Sequence, residues 1–217
     1  EADEMLENAR SNVARRLFCR DDEVYFTSGG TESNNLAVQG AAHAMRRRGR
    51  RIVTTSVEHP SIDETVKHLE NEGFEVIRLG VDKNGRISER ELFEAVTPDT
   101  ILVSIMAVNN ETGTIQPVEA AHKIHGPKGV GALYVKKGVR LSPIVFGGSQ
   151  EEKLRPGTQP MPAIAGFGAA AAALPNLAAE LKEVTELRDY MRDRLLALGG
   201  VVINSPEDAL PYVTNIS

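Results

Sequence analysis

Strand-length and helix-length segments alternate along most of this chain, and that order restricts its fold more than any other feature. Short apolar runs at Glu23–Thr27, Arg51–Thr55, Phe74–Leu79, Ile101–Val108 and Val130–Val135 read as strands. Residues 1–19 read as a helix with Met5, Leu6, Ala9, Val13 and Leu17 on one side. A second helix runs from Thr31 or Glu32 to about Arg48. Ser61 with Glu64, and Ser88 with Glu91, have capping-box spacing and open two more. Asp82-Lys83-Asn84-Gly85 is a turn. Residues 162–173 are small and apolar, which suits a tightly packed helix. Leu177, Leu181, Val184, Leu187, Met191, Leu195 and Leu198 mark one face of a long helix. Val201–Asn204 and Tyr212–Ser217 read as the start of another β-containing unit. This order predicts an α/β fold with a mainly parallel central sheet flanked by helices. Ile101–Val108 is apolar enough to be buried on both faces.

One junction breaks the pattern. Between the strand ending near Val108 and the strand at Val130 the sequence has room for a loop and one helical turn. A parallel crossover needs a dozen or more residues, usually with a helix.

Composition narrows the function classes. A net charge of -5 argues against a generic nucleic-acid binder, which is usually basic. No apolar run approaches the ~20 residues that span a bilayer, so no membrane partner is expected. Residues 1–10 are acidic and helix-like, unlike a signal peptide. Cys19 is the only cysteine, which excludes an intrachain disulfide and points to a reducing, cytoplasmic compartment. The five histidines lack metal-ligand spacing, so no metal site is expected.

Several loops follow strands at what would be the carboxyl edge of the sheet, where α/β ligands sit. Phe26-Thr27-Ser28-Gly29-Gly30-Thr31-Glu32-Ser33-Asn34 is a strand, a glycine turn and a helix start. Free N–H groups and the helix dipole there favour a phosphate; a plain capped helix fits equally well. In Val57-Glu58-His59-Pro60-Ser61, His59 can stack on a flat ring or move a proton, or be a solvated loop histidine. Asn109-Asn110-Glu111-Thr112-Gly113 offers amides to a ligand, or forms an Asx-type turn with Gly113 as the breaker. In Ala121-His122-Lys123-Ile124-His125-Gly126-Pro127-Lys128-Gly129, Lys123 is the candidate covalent residue, or an ordinary surface lysine of a loop. An amine must be neutral to attack an aldehyde, and His122 and His125 can help tune it. Arg155 and Thr158 lie in a polar loop suited to an anion or simply exposed.

Together, residues 26–36, 57–61, 108–113, 121–135 and 154–158 resemble the cysteine desulfurases of the NifS/IscS type, in the class V aminotransferase branch of fold-type I pyridoxal phosphate (PLP) enzymes. The resemblance implies that family's PLP-dependent transferase fold, with a large PLP-binding domain over 1–198 and the start of a small C-terminal domain over 199–217. It implies Lys123 as the Schiff-base lysine, Gly30, Thr31 and His122 at the cofactor phosphate, and His59 stacked on the ring and moving protons. It implies Asn110 near the ring and substrate, and Thr158 reaching the phosphate of a partner subunit, hence a homodimer. The implied reaction converts L-cysteine to L-alanine and an enzyme persulfide, for an iron–sulfur scaffold or another sulfur acceptor. Selenocysteine lyase, another class V activity and an inactive homologue acting as a dimer or scaffold partner are the alternatives. Several departures accompany the resemblance, among them that the family's segment ahead of the first helix has no match here. The family has several dozen residues between the positions of Val118 and Ala121, with an aspartate at the ring nitrogen and a glutamine at the ring hydroxyl. Ala120 stands where a serine phosphate ligand is usual. The nucleophilic cysteine of the family has no match, since Cys19 lies on the early helix.

Overall fold

The computed structural model describes residues 1–117, 129–174 and 177–217. In chain order its elements are α1 (Ala2–Arg16), β1 (Val24–Thr27), α2 (Gly30–Met45), β2 (Arg51–Thr55), α3 (Pro60–Asn71), β3 (Glu75–Leu79), α4 (Glu89–Ala95), β4 (Thr100–Val103), β5 (Gly131–Tyr134), α5 (Met161–Ala173) and α6 (Leu177–Ala197). They fall into two compact units. The first comprises Glu1–Arg50, Ser61–Glu75 and Ala121–Leu174; the second comprises Arg51–Pro60, Val76–Ala120 and Pro175–Ser217.

In the first unit β1 and β5 pair antiparallel, with Val24 opposite Tyr134 and Thr27 opposite Gly131. Alternation along β1 turns Val24 and Phe26 inward. They join Ala9, Val13 and Ala14 of α1, Val130, and Ile164, Phe167 and Ala171 of α5 in one core. Small residues let α1 and α5 approach closely. Gly168 lies so near Ala9 that an added Cβ would sit 2.5 Å from the Ala9 Cα. The small apolar run 162–173 is thus a packing surface, as its composition predicts.

In the second unit the strands are ordered β3-β2-β4, and β2 and β4 run parallel, as the alternation of strand and helix implies. Val53, Leu79 and Ile87 form its core, with Leu92, Ala95 and Ile105 against them. The Asp82 turn is closed by its own carboxylate, whose Oδ1 accepts from Asn84 N (2.8 Å) and Arg86 N (2.9 Å). Ser88 caps α4 as its spacing predicts, accepting from Glu91 N. Near the C-terminus Val202 and Ser217 exchange backbone hydrogen bonds, so the two apolar runs there do pair.

Three expectations need correction. The strand expected over Ile101–Val108 ends at Val103, and Val103 is 42% exposed rather than buried on both faces. Beyond Ser104 the chain folds back on itself, with a bridge between Val108 and Ile115, and this hairpin takes up the rest of the apolar run. Ser61 does not cap α3. The helix starts at Pro60, whose missing N–H suits a first position, and the Ser61 hydroxyl accepts from Asn34 Nδ2 at 2.7 Å. The expected apolar face of α6 is open at Leu181, Leu187, Met191 and Leu198. Among the described residues, no helix is long and apolar enough to cross a membrane.

Candidate functional site

The first unit builds a glycine turn between β1 and α2. Gly29 has φ 155° and ψ -178°, a region essentially confined to glycine. The buried Thr27 hydroxyl lies 2.8 Å from the Ser33 hydroxyl and accepts from Gly29 N, which pins both sides of the turn. The N–H groups of Gly30 and Thr31 then head a sixteen-residue helix, where no earlier turn supplies acceptors. Among the described residues, no atom lies within 4 Å of a Cβ added at Gly29 or Gly30. Gly131, at the start of β5, backs the turn from the other side. A Cβ there would lie 2.8 Å from the Gly29 Cα and 3.0 Å from Thr27 Oγ1. Gly131→Ala therefore has to displace backbone, and we expect it to cost ~1–3 kcal/mol and to distort the turn. A melting curve and the backbone NMR shifts of Gly29 and Gly30 check this; unchanged shifts would contradict it.

Glu32, in the first turn of α2, closes the arrangement. Its Oε2 accepts from Ser28 N at 2.6 Å, and the carboxylate takes a fork from Arg155, Nε at 2.7 Å and Nη2 at 3.1 Å. Burial pushes the carboxyl up, but Arg155 and the Ser28 N–H outweigh it and hold it down at about 2. Arg155 thereby ties the loop that carries Thr158, itself exposed, to the glycine turn. The other end of that loop is held by Glu151, whose buried carboxylate takes a fork from Arg10 (both 3.0 Å) and accepts from Phe26 N at 2.9 Å. Glu151, Glu152 and Lys153 all have positive φ, an uncommon run for three residues with side chains.

The second unit joins two other loops. Glu58 Oε1 accepts from Met106 N at 2.8 Å and from the Thr55 hydroxyl at 3.0 Å. Burial pushes the Glu58 carboxyl up, against these two hydrogen bonds. Asn109 Nδ2 reaches Val57 O at 3.3 Å. Its Oδ1 accepts from Glu111 N and Thr112 N (both 2.9 Å), and Gly113 follows at φ 76°. Asn109 thus makes the Asx turn and Gly113 breaks it. The neighbouring Asn110 is exposed, as is His59 on the facing loop.

Of the residues singled out from the sequence, Gly30, Thr31 and Thr158 lie in the first unit and His59 and Asn110 in the second. His122 and Lys123 lie outside the described residues. Sequence reasoning missed Glu32, Glu58 and Glu151 as organisers. Their signal was an acidic residue next to a glycine turn, a histidine loop and an arginine loop, a signal that solvated glutamates also give.

The aminotransferase class-V family model matches residues 1–121 and again 119–217. Cysteine desulfurase IscS of Dictyoglomus turgidum is 38% identical over 253 aligned positions, which cover 98% of this chain and 64% of that protein. Those 253 positions exceed the 217 residues of this chain by 36, so at least 36 have no counterpart here. The family match breaks at 119–121, the junction that is too short for a crossover. Among solved structures, a NifS-like protein superposes with a TM-score of 0.90 at 37% identity, covering 97% of this chain and 69% of the other. SspA, solved in complex with cysteine, gives 0.86 at 31% identity, covering 100% and 72%. A family model matched along the whole sequence, and a fold shared this closely with its NifS-like structures, mean that the chain belongs to the aminotransferase class-V family, among its NifS- and IscS-like members.

Proposed function

We propose that this chain carries the cofactor-binding part of a PLP-dependent cysteine desulfurase, which converts L-cysteine to L-alanine and passes the sulfur on as an enzyme persulfide. The observation that carries this reading is the glycine turn at the head of α2, in a chain whose relatives include cysteine desulfurases. The turn fits a phosphate monoester: no described atom crowds Gly29 or Gly30, and the first-turn N–H groups of Gly30 and Thr31, the Thr31 hydroxyl and the dipole of a sixteen-residue helix converge there. When bound, PLP supplies an electron sink for the amino-acid carbon.

The chain's own residues divide the remaining work. Gly30, Thr31 and His122 hold the phosphate. Lys123 supplies the amine that anchors the aldehyde. His59 would stack on the cofactor ring and carry a proton, and Asn110 would hydrogen-bond near the ring and substrate. Thr158 serves the phosphate of a second subunit in a homodimer. Cysteine as substrate is supported by the cysteine complex of the similar SspA. Cys19 lies just beyond α1, and burial, then Glu23 and Asp21, push its thiol up, which disfavours the thiolate a sulfur acceptor needs. From the persulfide the sulfur goes to an iron–sulfur scaffold or another acceptor protein in the cytoplasm.

A second reading has its own support. The positions absent at 119–121 favour an inactive homologue that acts as a dimer or scaffold partner. The full-length protein, incubated with PLP, L-cysteine and a thiol reductant, separates the two. Release of alanine and sulfide in equal amounts is the expected result. PLP bound with no alanine formed would overturn the desulfurase reading in favour of the partner role.

A further inference from the structure

A carboxylate is a poor neighbour for an anion, yet Glu32 sits at the head of α2. Its Oε2 is 2.6 Å from Ser28 N, and Gly30 is only two residues further on, within about 7 Å of Ser28. The low position of its carboxyl means that Glu32 stays charged at any working pH. Alone, it would repel a phosphate from the donors of Gly30 and Thr31.

We propose that Arg155 is a positioning residue that acts through Glu32: its guanidinium cancels the Glu32 charge, so that the glycine turn can accept the phosphate of a phosphorylated cofactor. This rests on the cofactor reading above and adds a residue to it. The fork at 2.7 and 3.1 Å is the geometry that neutralises both carboxylate oxygens at once. Both side chains are only about one-fifth exposed, 18% for Arg155 and 20% for Glu32, so solvent screens the charge incompletely. Glu32 also has a structural job: it accepts from Ser28 N and so holds the chain entering a helix whose N-cap, Gly29, has no side chain.

The charge account predicts an asymmetry that loop-holding does not. Arg155→Met leaves Glu32 bare beside the anion and should weaken binding about tenfold, the scale of one unit charge at this distance in a partly screened site. Glu32→Gln removes the main counter-charge of Arg155, leaving Glu151 as the other, and should bind as tightly as the wild type or more so. The double variant should recover most of the loss, and Arg155→Lys, which keeps the charge without the fork, should stay within about threefold of wild type.

The experiment is equilibrium dialysis of the four variants and the wild type against PLP, and against pyridoxal as a probe without phosphate, with melting curves to confirm folding. The expected result is a loss for Arg155→Met with PLP only. Equal weakening by Glu32→Gln and Arg155→Met would overturn the proposal and leave the fork as a loop tie. Recovery in the double variant also guards against misfolding as the cause of the loss. Failure of the wild type to bind PLP at all would instead sink the cofactor reading, and this proposal with it.

Discussion

Glu151→Ala is expected to destabilise the first unit by ~3–5 kcal/mol, the scale seen when one partner of a buried ion pair is removed. The Glu151 side chain is 0% exposed and that of Arg10 is 13% exposed, so the stranded guanidinium has little water to turn to. Phe26 N would lose its acceptor inside the core. Gln159 Nε2, which donates to Glu151 Oε1, would lose its partner as well. Arg10 retains a hydrogen bond to the Val24 carbonyl and a long ion pair with Glu7 at 3.9 Å. It also stacks over Phe26, 5.0 Å from the ring centroid, and this limits the loss rather than cancelling it. Domains are stable by only ~5–15 kcal/mol, so the variant should melt far below the wild type or fail to fold. Glu151→Gln keeps one acceptor and should lie between them. Urea unfolding of the three proteins tests this. A loss under ~1 kcal/mol for Glu151→Ala would mean that the pair is not the staple the geometry makes it.

Lys123→Ala is expected to abolish the yellow absorbance of the PLP-loaded protein and to lower desulfurase turnover by roughly 10³-fold or more, the scale of removing a covalent catalyst. The chemistry needs a neutral amine tethered at the ring aldehyde, and no other side chain can substitute from solution at comparable effective concentration. Lys123→Arg is the informative companion. It keeps the positive charge but cannot attack the aldehyde, so it should fail equally. Absorbance spectra and alanine release measured on the same samples decide the matter. Full absorbance in either variant would move the anchoring role to another lysine.

The elements were legible where a local rule had no competitor. β2 was read at Arg51–Thr55 to the residue, because β-branched residues meet a charged turn on either side. α4 was read from Ser88 and Glu91, since nothing else near Ser88 contends for its hydroxyl. Ser61 has the same spacing, but Pro60 starts the helix one residue early and Asn34, distant in sequence, takes the hydroxyl. The run Ile101–Val108 reads as one strand because hydropathy cannot register that the chain turns at Asn109 to Gly113 and brings Gln116 N to the Ala107 carbonyl. The glycine turn is legible by residue type. Glu32 and Glu151 are not, because their partners, Arg155 and Arg10, lie 123 and 141 residues away. The short junction near Val118 was visible as a missing crossover, and the broken family match falls on it.

The antiparallel pairing of β1 with β5 has a consequence for how the chain is made. Val24 emerges from the ribosome long before Tyr134, its partner, and Arg10 emerges 141 residues ahead of Glu151. At a synthesis rate of roughly 5–20 residues per second, that interval lasts about 7 to 28 seconds. Throughout it, Val13, Val24 and Phe26 wait without Ile164 and Phe167, the residues that complete their core. The first unit is therefore closed from its late side, and a nascent chain stalled before α5 presents its earliest segments to chaperones and proteases.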